Sequence, residues 1–165
     1  MKILGIDPGI GRAGWGVIEM ASGKWQVANY GCIETSKDVP TEKRLESLHN
    51  ELATIIKREK PDAASVEELF FSTNAKTAMV VGEARGVILF TLTSYGLPVA
   101  TYTPLQVKIA VTGYGHAEKK QVETMMMLQL GMKVRPKIDD ASDALAVAFT
   151  HALSRKMEKV SAESS

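Results

Sequence analysis

The chain has 165 residues and nearly balanced charge, 20 Lys and Arg against 19 Asp and Glu for a net +1, so overall charge points to no nucleic-acid partner and any basic surface must come from local clustering. That length fits one domain with a single core, burying roughly 70% of the surface an unfolded chain exposes. The lone Cys32 excludes an internal disulfide framework. With no apolar run long enough to span a bilayer and no leader-like segment, a soluble, unprocessed, cytoplasmic protein is expected.

Lys2-Ile3-Leu4-Gly5-Ile6 is a short run of β-formers, read as a buried central strand. It carries Asp7 to its carboxyl end, where Pro8 stops the ladder. Gly9, Gly11, Gly14 and Gly16 read as a glycine-rich turn before an antiparallel strand resumes at Val17. At Asp7-Pro8-Gly9, itself a turn by composition, the sharper alternative is that the glycine clears bulk where a phosphate or metal approaches the backbone. Trp25 to Thr35 completes a three-strand meander, with Cys32 as a small buried thiol. Between Pro40 and Lys60, the spacing of Leu45, Leu48, Leu52, Ile55 and Ile56 predicts an amphipathic helix ended by Pro61. Ala63 to Val66 is a buried strand running into Glu67.

Asn74 can cap a long helix from about Ala75 to Tyr95 that stops at Gly96. On it Gly82 and Gly86, with Ala75, Ala78 and Met79, leave a low-relief strip for a second helix. A strand follows over Pro98 to Tyr102, then a short helix from Pro104 through Val111 and a loop, Thr112-Gly113-Tyr114-Gly115-His116. A helix over Ala117 to Leu130, an extended Pro136-Lys137-Ile138 and a last helix from Asp139 or Asp140 to about Met157 complete a single domain over 1–157. The polar tail 158–165 is expected to fray.

Three meander strands followed by alternating helices and strands predict an α/β domain. Its five-stranded mixed sheet is antiparallel in the first three strands and then parallel, with helices on both faces. Ligands in such sheets collect beyond strand carboxyl ends, where Asp7 and Glu67 stand. Asp140 and Asp143, three apart on a helix, share a face with Cβ atoms roughly 5–6 Å apart. Asp139 suits the positive end of the helix dipole. Asp143 leads directly into the apolar run from Ala144 to Phe149, which must pack on the sheet.

Carboxylates at ~4 Å repel by roughly 4 kcal/mol per pair at an effective dielectric of 20, and burial adds desolvation. A cation offsets both. All-oxygen ligands favour Mg²⁺ or Mn²⁺ over zinc. Four carboxylates suit two ions about 3.5–4 Å apart, the arrangement that activates a water and steadies the leaving oxygen in phosphodiester hydrolysis.

Gly5-Ile6-Asp7-Pro8-Gly9, Val66-Glu67-Glu68-Leu69-Phe70, Asn74-Ala75 with Ala84-Arg85-Gly86, Gln106-Val107-Lys108, Ala117-Glu118-Lys119 with Gln121-Val122, and Asp140-Ala141-Ser142-Asp143-Ala144-Leu145-Ala146 occur in this order. Together they resemble the RuvC family of Holliday-junction endonucleases, within the ribonuclease-H-like superfamily. The resemblance implies a ribonuclease-H-like fold and a two-fold dimer that nicks opposed strands of a four-way DNA junction in recombination and repair, beside a branch-migration complex. It implies two Mg²⁺ ions per active site, with Mn²⁺ as a substitute. The family's catalytic acids and metal ligands map onto Asp7, Glu67, Asp140 and Asp143, its basic residues near the scissile phosphate onto Lys108 and Lys119, and its base-stacking aromatic onto Phe70. Some members carry His at the position of Asp143, so Asp here makes the set all-carboxylate.

Lys108, His116, Lys119, Lys120, Lys133, Arg135 and Lys137 make the last third locally basic and flank the acidic residues, so backbone phosphate contacts are expected there. Three rival readings stand beside a junction resolvase. They are an RNA–DNA hybrid nuclease of the same superfamily, a non-catalytic junction-binding module, and an actin-like or sugar-kinase ATPase. The last needs a second nucleotide-binding lobe for which the length leaves little room.

Overall fold

The computed structural model describes residues 1–68 and 75–163. Three strands, β1 (Lys2–Asp7), β2 (Arg12–Ala21) and β3 (Lys24–Glu34), precede helix α1 (Thr41–Glu59). Strand β4 (Ala63–Glu67), helix α2 (Ala75–Ser94) and strand β5 (Val99–Tyr102) follow. Helices α3 (Pro104–Thr112), α4 (Lys119–Gln129) and α5 (Asp139–Glu163) complete the fold. The sheet order is β3-β2-β1-β4-β5. The β1–β2 and β2–β3 pairs are antiparallel and the β1–β4 and β4–β5 pairs parallel, which is the expected five-stranded mixed sheet with β1 at its centre.

Strand alternation sorts the core into two layers. Leu4, Ile6, Trp15, Val17 and Val66 meet Leu48, Leu52 and Ile56 of α1 and Ala84, Ile88 and Leu92 of α2 on one face. Ile3 and Ile18 meet Val107 of α3, Met126 of α4 and Leu145 and Phe149 of α5 on the other. Helices therefore cover both faces, as the alternation of elements predicts.

Two sequence readings need correction. Strand β2 begins at Arg12 rather than Val17, so Gly14 and Gly16 lie in the sheet and not in a turn. Gly14 pairs with Asp7 and Gly16 with Gly5. Helix α5 approaches these glycines: a Cβ on Gly14 would overlap the Asp140 carbonyl oxygen, one on Gly5 the Ala144 carbonyl oxygen, and one on Gly16 the Leu145 side chain. The three glycines form a trough in which the helix lies on bare backbone. Secondly, α5 continues to Glu163, past the expected end near Met157. Residues 158–163 contain no Gly or Pro to stop it. Gly96 ends its helix as expected, with φ +73. The Asn74 cap lies outside the described residues.

Candidate active site

The parallel register Gly5↔Ser65 and Ile6↔Val66 brings Asp7 and Glu67 side by side at the carboxyl ends of β1 and β4. Both face α5, because Ser65, two residues before Glu67, donates its hydroxyl to the Val147 carbonyl of that helix at 3.2 Å. The glycine trough then sets the first turn of α5, with Asp140 and Asp143, beside them. Four carboxylates distant in sequence thus meet at one end of the sheet.

Their electrostatics follow from that crowding. Burial raises the Asp7 carboxyl to about 8, helped by the negative fields of Glu67, Asp143 and Asp140. Glu67 is also raised, first by burial and then by Asp143, while a hydrogen bond from Asp7 pulls it back. With its carboxyl near 8, Asp7 favours the protonated form when no cation stands beside it. Asp143 is raised by burial against the opposing pull of Lys119, whose Nζ donates to its Oδ2 at 2.7 Å. Burial by itself would lower the Lys119 ammonium, but the hydrogen bond to Asp143 and the fields of Asp143, Asp139 and Asp7 raise it. Lys119 is thus the cation paired with Asp143.

The remaining predicted residues divide. Lys108 is half-buried on α3, Lys120 is exposed in the first turn of α4, and Lys137 is exposed in the loop before α5. Arg135 is already engaged, with Nε 2.6 Å from Glu123 and Nη2 2.9 Å from Asp139. Asp139 stands at the start of α5, 3.9 Å from Lys119. Phe70 lies outside the described residues, as does Phe71. Cys32 is half-buried on β3 with its thiol raised to about 11 by burial and by Asp140 and Glu34, so it remains protonated and unreactive.

Two residues at the site were not picked out from the sequence. Glu123, buried on α4 one turn after Lys119, accepts from Ser142 Oγ at 3.1 Å as well as from Arg135, and so ties α4 to the first turn of α5. A carboxylate between Val122 and Met126 was the available signal. Arg12, at the start of β2, places Nη1 4.0 Å from Asp140 and Nε 3.4 Å from Glu34.

The family model of crossover junction endodeoxyribonuclease RuvC matches residues 3–151. The crossover junction endodeoxyribonuclease RuvC of Desulforamulus reducens is 51% identical over 152 residues, covering 92% of this chain and 93% of that one. The chain belongs to the RuvC family. A RuvC of Caldicellulosiruptor saccharolyticus is 50% identical over 155 residues, with 93% of each chain covered. Among solved RuvC structures, that of Thermus thermophilus superposes with a TM-score of 0.87 at 37% identity, covering 96% of this chain and 97% of that one. The same RuvC in complex with a Holliday junction substrate gives 0.86 at 34% identity, covering 95% and 96%. The yeast mitochondrial Holliday junction resolvase shares only the fold, with a TM-score of 0.67 at 12% identity over 93% of this chain and 80% of that one.

In this RuvC-family chain the donor set suits a hard cation. The four side chains offer oxygen only, and the Asp7 carboxyl is pushed up to about 8 first by burial and then by the fields of Glu67, Asp143 and Asp140, a crowding that a hard cation would relieve. Among the described residues no three such side chains stand in a closed ligand shell. Lys119 against Asp143 and Arg12 against Asp140 bring positive charge to the acids.

Proposed function

We propose that this chain is a structure-selective endonuclease that resolves four-way DNA junctions by metal-dependent phosphodiester hydrolysis during recombination and repair. The observation that carries the reading is the convergence of Asp7, Glu67, Asp140 and Asp143 at the strand ends of a RuvC-family fold, with Lys119 beside them. Asp7, Glu67, Asp140 and Asp143 would hold two Mg²⁺ ions, for which Mn²⁺ could substitute. The chemistry supplied there would be activation of a water and stabilisation of the leaving oxygen.

The protein's own groups supply the rest. Asp7, central on β1 and raised to about 8, would have to be ionised to serve as a ligand. Lys119, paired with Asp143, would offset negative charge at the attacked phosphate. Lys108, Lys120 and Lys137 contact backbone phosphates, and Phe70 stacks on a junction base. Arg135 serves by fixing Asp139 and Glu123, with its remaining donors toward DNA.

Two opposed cuts need two active sites, so a two-fold dimer belongs to the same reading. Its support is the face of α2 carrying Met79 and Phe90, 69% and 65% exposed, with open space around Gly82 and Gly86 between them. A branch-migration complex as partner and a reducing cytosol as compartment complete it. Among the described residues no helix is long and apolar enough to cross a membrane. The test is a cleavage panel with Mg²⁺. A four-way junction should be nicked at opposed strands, while preference for an RNA–DNA hybrid or linear duplex would overturn the assignment.

A further inference from the structure

Beyond the carboxylate cluster, a cleft of about 490 Å³ opens between the α3–α4 loop and the outer side of α4, within the size range of small-ligand sites. Its walls include Tyr114, Ala117, Lys120, Gln121, Thr124 and Met125. None of these belongs to the metal-binding set. Tyr114 is 59% exposed and stands at a ring-centroid distance of 5.7 Å from His116, tilted by 58°.

The loop presenting this aromatic pair is braced. Gly113 takes φ +77 and donates its N–H to the Ile109 carbonyl at 2.8 Å. The Tyr114 N–H donates to Thr112 Oγ1 at 3.1 Å, and the Ala117 N–H to the Tyr114 carbonyl at 3.2 Å. Gly115 lies so close to α3 that a Cβ would meet Leu105 at 2.7 Å. A ring held out on a fixed loop loses little freedom when a flat partner covers it, which favours stacking. Gln121 uses its amide oxygen to accept from the Glu118 N–H at 2.8 Å, leaving its NH₂ group to donate.

Location decides the occupant. Lys120 follows Lys119, whose Nζ touches Asp143, and stands about 100° further round the first turn of α4, so a DNA strand that leads from the acids round the start of that helix meets Lys120 at the rim of the cleft. An aromatic wall, an apolar floor and a lysine at the rim match a nucleobase with its phosphate.

We propose that this cleft binds one unpaired nucleobase of the junction, stacked on Tyr114, with its phosphate on Lys120. The inference rests on the junction-cleaving reading and adds a base subsite to it. The experiment titrates the protein in EDTA with four-way DNA junctions carrying 2-aminopurine at single positions flanking the cleaved bond. Wild type should quench the probe at one position. Tyr114→Phe should retain that quenching, and Tyr114→Leu should abolish it and weaken binding about tenfold with unchanged thermal melting. If Tyr114→Leu quenches and binds like wild type, the subsite is refuted while the resolvase reading stands. Failure of wild type to bind the junction at all would overturn the resolvase reading itself, and the subsite with it.

Discussion

Lys119 Nζ reaches Asp143 Oδ2 across 2.7 Å, joining the first turns of α4 and α5 at the edge of the carboxylate cluster. An ammonium in this place balances acids and also competes with any cation for Asp143. Removing it separates the two roles. Lys119→Met should bind Mn²⁺ at least as tightly as wild type by thermal shift, yet cleave a four-way junction at least about 100-fold more slowly, the scale of a lost electrostatic stabiliser. Weaker Mn²⁺ binding with unaltered cleavage would reverse the assignment.

The protonation of Asp7 gives a pH dependence of definite sign. Its carboxyl lies near 8 in the folded protein against an ordinary 3.8, so without metal its contribution to stability is fully present below about pH 4 and is lost as pH rises through 8. Asp7→Asn mimics the neutral acid. In EDTA it should match wild type near pH 4 and be more stable above pH 8, by on the order of a few kcal/mol. Saturating Mg²⁺ should remove that advantage, because the ionised carboxylate then has a cation. Equal melting of the two proteins in EDTA at pH 9 would show that Asp7 is not held in its neutral form.

Gly14 is where the sheet admits α5. A methyl there would overlap the Asp140 carbonyl oxygen, so Gly14→Ala should cost about 3 kcal/mol or more and lower Tm by roughly 6–12 °C. Gly11→Ala is the control, since its Cβ would meet only Arg44 Nη2 at 3.6 Å. It should melt within about 2 °C of wild type. Comparable losses in both variants would mean that loop geometry, not helix docking, requires these glycines.

The exposed face of α2 predicts the assembly. Phe90 is 65% exposed, so Phe90→Asp should leave the fold intact while blocking an apolar two-fold contact. By sedimentation velocity at micromolar concentration, wild type should run as a dimer and Phe90→Asp as a monomer. The monomer should also lose paired nicking. A wild-type monomer would remove the dimer from the account.

Most of the fold was legible because its signals are local. Hydrophobic spacing marked α1, Gly96 marked the end of α2, and the apolar run before Asp7 marked β1. The pairing of Asp7 with Glu67 followed once those strands were taken as parallel neighbours. Gly14 and Gly16 were misread because a glycine in a strand and one in a turn look alike until the partner surface is known, and that surface here is a helix more than 120 residues away in sequence. Arg135 resembled a phosphate contact for a similar reason: its partners Glu123 and Asp139 are neighbours only after α4 and α5 have packed.

The central claim is that four converging acids place divalent ions against a junction phosphodiester, and single-turnover cleavage of a four-way DNA junction by wild type and Asp7→Asn, with Mg²⁺ and with EDTA, tests it most directly. The account predicts paired nicks only for wild type with Mg²⁺, while Asp7→Asn binds the junction and leaves it whole. Cleavage in EDTA, or equal cleavage by Asp7→Asn, would contradict it.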